Sequence, residues 1–273
     1  MKHILLLTDF SDSANNAINY ALSLFKGQAV HFYLLHVHKS GSFTLDDLMA
    51  GNNKNVYDAI LKTEKQALET FRTKLENENN NSLHQFSSVI DYDNLLSAIK
   101  QISASRTIDL IVAGYDGATS VFEMVFGSNT LQIIRHINLP TLVIPETYSF
   151  TPPKDVLLPL DKNDRLNTPE FSRLLGLLDV KATHFHVLRM NDENNAMHNE
   201  DTAALKSKVD LFTYHTLKEV SLADAVTTYR QLNAIDAIGL MVEEEGFFKR
   251  LIAESPKTTI SKSLSLPLLI VHH

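Results

Sequence analysis

The chain of 273 residues contains no cysteine. That excludes a disulfide scaffold, thiolate-bound zinc, iron–sulfur clusters and thiol catalysis, and it fits a reducing compartment. Glycine is scarce as well, with nine in the whole chain, so a local cluster of glycines carries information. Long apolar runs are missing. After Met1-Lys2-His3, only Ile4 to Leu7 are apolar before Thr8 and Asp9, whereas a signal-peptide core needs roughly 7–15 apolar residues. No stretch approaches the ~18–20 residues of a membrane span. The expectation is a cytoplasmic protein with no membrane partner. A basic excess is missing too. The formal charge of -7 is shared between the halves: residues 1–150 carry 11 Lys+Arg against 15 Asp+Glu, and residues 151–273 carry 14 against 17. Neither half offers the basic footprint of a nucleic-acid binder. What is present, 44% hydrophobic and 21% charged residues, supplies a sizeable core for one large or two ordinary domains.

An internal repeat sets the architecture. Ile4-Leu5-Leu6-Leu7-Thr8-Asp9 and Val156-Leu157-Leu158-Pro159-Leu160-Asp161 are both apolar runs of strand length that end in an acid. Leu35-His36-Val37 matches Phe185-His186-Val187, and Leu139-Pro140-Thr141-Leu142-Val143-Ile144 matches Leu266-Pro267-Leu268-Leu269-Ile270-Val271. The offsets of 152, 150 and 127 residues keep their order and shrink. This pattern implies duplication followed by a deletion in the middle of the second copy. Pro152-Pro153 forbids a helix between the copies. The expected domains are residues 1–146 and 154–273, joined by a linker over 147–153.

Within the first half, continuous apolar runs of strand length alternate with segments of helical spacing. Strands are expected at Ile4–Thr8, Val30–Val37, Gln85–Ile90, Asp109–Ala113 and Pro140–Ile144. Helices are expected around Ala14–Phe25, Val56–Leu75, Leu95–Ile102 and Leu131–Ile137. This order implies an open parallel sheet with helices on both faces. With the repeat, the fold class is α/β: two tandem open parallel five-stranded sheets, Rossmann-like, the second shortened.

Three of the nine glycines fall within fourteen residues: Gly114, Gly117 and Gly127, the last followed by Ser128 and Asn129 ahead of a helix. Ligands of doubly wound sheets sit at the carboxyl ends of the strands. A glycine-rich turn there lets backbone N–H groups approach a phosphate, and a helix N-terminus adds donors. Asp9, at the end of the first strand, can face the same crevice and hydrogen-bond a sugar or base. On the residues alone a plainer account stands beside this one. Glycines after strands often only supply positive φ, and Asp9 with Ser11 can be a turn and a helix cap. The pattern is neither a Walker loop nor the dinucleotide GxGxxG.

Thr8-Asp9-Phe10-Ser11, Leu34-Leu35-His36-Val37, the Gly-x2-Gly-x9-Gly-Ser spacing from Gly114 to Ser128, and Leu139–Ile144 together resemble the universal stress protein family. The duplication resembles its tandem-domain members. The resemblance implies the fold of the adenine-nucleotide α-hydrolase type and one site for ATP, or for AMP or ADP, in the first half. It implies that Thr8 and Asp9 contact the adenosine part and that Val37 holds the adenine through its backbone. Gly114, Gly117, Gly127, Ser128 and Asn129 would surround ribose and phosphates. Asp116 stands where relatives often carry a basic residue. An anion beside a polyphosphate calls for a bridging cation such as Mg2+, or favours a less charged nucleotide. The resemblance further implies a pseudo-dimer of the two halves through their last strands, with a homodimer of chains beyond it, and a regulatory stress-response role. Weak ATP hydrolysis or self-phosphorylation, and a ligand-free scaffold, are the competing classes. No catalytic residue stands out.

From Asp109 to Pro140 the first half aligns without a gap on Asp236 to Pro267. Met241, Glu244 and Glu254 replace the three glycines, and Pro256 replaces Asn129. The second copy is therefore expected to bind no nucleotide, and Asp161 to be a turn residue. Glu243-Glu244-Glu245 reads as a solvated run. Phe122, Met124, Val125 and Phe126 read as a hydrophobic hinge over the site. His36 reads as a strand-end packing residue. His184 and His186 share one strand face and could chelate a metal, but no third ligand stands at a suitable spacing nearby, so no metal is expected.

Overall fold

A computed structural model describes residues 1–38, 53–92, 94–115, 127–190, 195–242 and 265–272. The first half runs β1 (Lys2–Leu7), α1 (Asp12–Leu24), β2 (Val30–Val37), α2 (Asn53–Asn79), β3 (His84–Asp91), α3 (Leu95–Ser105), β4 (Leu110–Tyr115), α4 (Gly127–His136) and β5 (Thr141–Pro145). The second half runs β6 (Asp155–Leu160), α5 (Pro169–Leu175), β7 (His184–Met190), α6 (Asn195–Lys208), β8 (Leu211–Leu217), α7 (Leu222–Leu232), β9 (Ala237–Val242) and β10 (Leu268–His272). The run Glu243-Glu244-Glu245 and the residues Asp116, Gly117, Phe122, Met124, Val125, Phe126, Glu254 and Pro256 lie outside the described residues.

The strands form one ten-stranded sheet in the order β3-β2-β1-β4-β5-β10-β9-β6-β7-β8. Each half is a parallel doubly wound sheet. The two sheets are not separate, because β5 and β10 pair antiparallel, with Val143, Leu142 and Thr141 opposite Leu268, Leu269 and Ile270. The physical reason is edge protection. β5 is buried along its whole length, and left as an edge it would present an apolar ribbon with unpaired backbone groups. Tyr148 adds a link by donating its hydroxyl to the Asp236 carbonyl at 2.9 Å. His272 Nε2 lies 2.7 Å from the Ile134 carbonyl.

Period-two alternation places the core. From β1, Ile4 and Leu6 join Phe32, Leu34 and Val112 under α1 and α2, where Ala17, Ile18, Ala21, Phe25 and Leu68 pack. Leu5 and Leu7 face the other way, with Leu35 and Ile111, under Ile99 and Ile102 of α3, Ile133 of α4 and Ile137 just after it. Each fully buried Leu or Ile contributes about 1.5–3 kcal/mol. A stretch of strand buried on both faces must therefore be apolar, as Ile4–Leu7 of β1 is.

The pairings also locate the duplication and its deletion. Ile4 and Val156 occupy equivalent positions in their sheets, opposite Leu110 and Ala237. Ile4 also pairs with Phe32, and Val156 with Phe185. The β2-to-β7 offset is thus 153 residues, not the 150 read from Leu35-His36-Val37. His36 stands where Arg189 does, and His186 where Tyr33 does. The sequence match was misleading because a shift by an odd number of residues turns a strand's other face to the same side. The lost residues fall in one crossover: residues 38–83 connect β2 to β3, whereas residues 191–210 connect β7 to β8.

Candidate functional site

In the first half the chain leaves β1 for β2 on one side, while β4 lies on the other. This is the reversal of strand order at which doubly wound sheets bind ligands. The registers Leu7↔Leu35 and Leu6↔Val112, carried one or two residues further, bring Thr8, His36 and Gly114 level with each other at the carboxyl ends of three adjacent strands. Val37 and Asp9 follow at the next level. Neighbouring strands lie about 4.8 Å apart, so these residues span about 10 Å. Of the eight residues expected to form the site, the topology thus gathers Thr8, Asp9, Val37 and Gly114. Gly127, Ser128 and Asn129 open helix α4, and Asn129 is exposed.

The β1–α1 turn is built by local hydrogen bonds. Asp9 Oδ1 accepts from the Ser11 N–H at 3.1 Å and from the Ser11 hydroxyl at 2.5 Å. Ser11 Oγ in turn accepts from the Ala14 N–H and caps α1. Thr8 Oγ1 accepts from the Phe10 N–H at 3.1 Å. Phe10 takes φ 65, a left-handed conformation that costs a bulky residue on the order of 1–3 kcal/mol. Its ring packs against His36 at 4.7 Å and Phe71 at 5.8 Å. His36 Nδ1 meets the Thr8 carbonyl at 2.9 Å, which fits the strand-end packing role. Asp9 is therefore both a turn-former and an exposed carboxylate at the crevice.

Gly114 differs from the expectation. It lies within β4, paired with Ile144, and is not in a turn after it. A Cβ at Gly114 would lie 2.2 Å from the Ser13 carbonyl oxygen and 2.8 Å from the Ala14 nitrogen, both backbone atoms. The missing side chain is what lets the first turn of α1 settle against β4. This is the close helix–strand approach that a glycine serves in doubly wound folds, and it presents the α1 N-terminus to the crevice.

A pair at the lip of the crevice was not legible in the sequence. His38 follows Val37 directly, and its Nδ1 lies 2.6 Å from Glu64 Oε1 on α2. His38 Nε2 and Glu64 Oε2 are buried without a hydrogen-bond partner among the described residues. The two are 26 residues apart, so only the fold joins them.

The equivalent place in the second half is filled. Arg189, in the position of His36, is fully buried and makes a two-pronged pair with Asp201 on α6: Nε to Oδ2 at 2.8 Å and Nη2 to Oδ1 at 2.8 Å. Its Nη1 donates to the carbonyls of Asp161 and Asp164. Tyr214 donates to Asp201 Oδ2 at 2.5 Å. Burial, and then the adjoining Asp201, push the Tyr214 hydroxyl well above its ordinary pKa. Buried Met241 stands in Gly114's place. Asp161 sits in a turn, its N–H donating to Asp164 Oδ2. A lone arginine inside the apolar run of β7 was the available signal.

The strand order and the repeat thus define a duplicated α/β protein of the doubly wound type. Residues 1–145 match the model of the universal stress protein family, and the chain belongs to that family. It is 29% identical over 152 residues to a universal stress protein of Methanocaldococcus jannaschii, covering 52% of this chain and 94% of that protein. A universal stress protein of Archaeoglobus fulgidus superposes over 99% of this chain and 98% of its own with a TM-score of 0.72 at 13% identity. One from Pseudomonas aeruginosa covers 100% of this chain and 93% of its own at TM-score 0.56 and 12% identity. These two likenesses extend the shared fold over both halves.

Proposed function

We propose that the first half binds one adenine nucleotide at the carboxyl ends of β1, β2 and β4, and that the protein is a nucleotide-dependent regulator rather than an enzyme. The observation that carries this reading is the strand-order reversal between β1 and β4, flanked by Asp9 on one side and by the start of the Gly-x2-Gly-x9-Gly-Ser motif on the other. Asp9 and Thr8 face the adenosine and the Val37 backbone holds the base. Gly117, Gly127, Ser128, Asn129 and the N-terminus of α4 serve ribose and phosphates. Asp116 makes triphosphate binding depend on Mg2+ or shifts preference toward AMP. The second half, its crevice plugged by Arg189 and Asp201, binds none and positions the first as a pseudo-dimeric partner in the cytoplasm. Nucleotide acts by differential affinity for two states of the protein.

Native mass spectrometry of the purified chain, followed by calorimetry with ATP, ADP and AMP with and without Mg2+, tests this. One nucleotide per chain is expected, with binding abolished by Gly117→Glu, which copies Glu244. No binding by the wild type, or unchanged binding by that variant, overturns the reading. A turnover assay on the same samples separates a regulator from an enzyme.

A further inference from the structure

At the opposite, amino-terminal end of the sheet, the second half brings together Asp155 of β6 with His184 and His186 of β7. Asp155 Oδ1 lies 2.9 Å from His186 Nε2 and 3.5 Å from His184 Nδ1. The three ligand atoms all fall within 4.8 Å of one another. Asp155 is the third ligand that sequence spacing did not show. It comes from the neighbouring strand, paired directly with His184. We propose that Asp155, His184 and His186 bind a divalent transition-metal ion of the zinc class.

Four features carry this. The first is scale: bonds of about 2.0–2.1 Å in a tetrahedral site put ligand atoms about 3.4 Å apart, and 2.9 and 3.5 Å bracket that value. The second is that the outer ring nitrogens are already engaged. His184 Nε2 meets Thr213 Oγ1 at 2.7 Å, and His186 Nδ1 meets Tyr229 Oη at 2.9 Å. In the tautomer where those hydroxyls accept the outer N–H groups, the inner nitrogens offer lone pairs that a metal ion shared with the carboxylate would take up. This is the second-shell arrangement that orients metal-binding histidines. The third is access. The side chains of His184 and Asp155 are 35% and 36% exposed while that of His186 is 8% exposed, so the site is anchored on one side and open to a water ligand on the other. Two imidazoles and one carboxylate suit zinc, cobalt or nickel rather than magnesium or calcium.

The fourth feature is the contrast within the duplication. The first half holds His3, His31 and Tyr33 at the equivalent positions, with Ser87 on His31 just as Thr213 is on His184. It has no carboxylate among the three. Arg106, the C-cap of α3, lies over the Tyr33 ring at 5.0 Å, and its counterpart at the C-cap of α7 is the uncharged Asn233. A fixed cation accompanies the array in one copy and a neutral amide in the other.

The test titrates Zn2+ or Co2+ alone into the full chain after chelator treatment, by calorimetry and by the visible spectrum of bound Co2+. One ion per chain is expected, with four-coordinate cobalt bands. Its affinity should fall at least tenfold in Asp155→Asn and be lost in His184→Gln/His186→Gln. Thr213→Val is expected to weaken binding about tenfold, and His3→Gln/His31→Gln to leave it intact. Zinc should raise the melting temperature of the wild type but not of Asp155→Asn, a near-isosteric change. The proposal is overturned if the wild type binds no more metal than the double histidine variant, or if Asp155→Asn and His184→Gln/His186→Gln both retain the ion. Neither result depends on whether nucleotide binds.

Discussion

Gly114→Ala is the sharpest test of how the crevice is assembled. Its new methyl would meet the Ser13 carbonyl oxygen at 2.2 Å and carbon at 2.4 Å, and the Ala14 nitrogen at 2.8 Å, where ordinary contact begins near 3.4 Å. All three are backbone atoms, so no rotamer change relieves the clash. The first turn of α1 must withdraw by roughly 1.2 Å. Overpacking of this kind costs about 1–3 kcal/mol. The withdrawal also strains the Ser11 cap, worth about 0.5–2 kcal/mol. A combined loss of about 2–4 kcal/mol lowers the melting temperature by roughly 4–16 °C at about 2–4 °C per kcal/mol. Thermal and urea unfolding without nucleotide measure the loss, and hydrogen exchange should show deprotection concentrated in α1. Gly27→Ala is the control, since nothing lies within 4 Å of its added methyl. If Gly114→Ala melts within a degree of wild type with α1 protection unchanged, the close-approach account is wrong and the glycine serves the ligand alone.

Ser11→Ala should cost about 1 kcal/mol through the lost cap of α1, read as a lower urea midpoint with an unchanged slope. Arg189→Met should destabilise by about 3–5 kcal/mol by leaving Asp201 buried and unpaired, whereas Arg189→Met/Asp201→Leu should recover most of it; a double-mutant cycle without coupling refutes the plug. His31 is held below its ordinary value of 6.5 by burial, then by His3 and Arg106, while its ring also meets Tyr33 and Ser87. The unfolded chain takes up this proton first as pH falls through about 6.5, so stability declines on acidification, and His31→Gln should flatten that slope in urea titrations between pH 7 and 5.

The strands of the first half were legible because a parallel strand covered on both faces is largely apolar, and Val30–Val37 coincides with β2. The halves' union into one sheet was not written in either half's periodicity, since edge pairing is a contact between residues 127 apart, Leu142 and Leu269. Asp9 and Gly114 were expected as site residues and lie at the strand ends of the crevice, but the sequence assigned Gly114 to a phosphate turn, whereas it lies within β4. Only the position of Ser13 shows what the missing side chain makes room for. Asp155 escaped for a similar reason. A ligand set shared across two strands has no fixed sequence spacing, whereas His184 and His186 on one strand do.

The closing of the second crevice depends on a residue carried by its shortened crossover. Arg189 buried alone would carry an uncompensated charge, a cost of several kcal/mol. It is tolerable only because Asp201 arrives on α6, whose Leu205 is anchored in the core beside it. That helix belongs to the connection of residues 191–210, which is shorter than the connection of residues 38–83 in the first half. From α6, Asp201 reaches the arginine. In the first half the same strand position holds His36, satisfied by the Thr8 carbonyl, and the residue that follows Val37 reaches outward to Glu64 instead. Restoring a long crossover without removing Arg189 would therefore strand the charge.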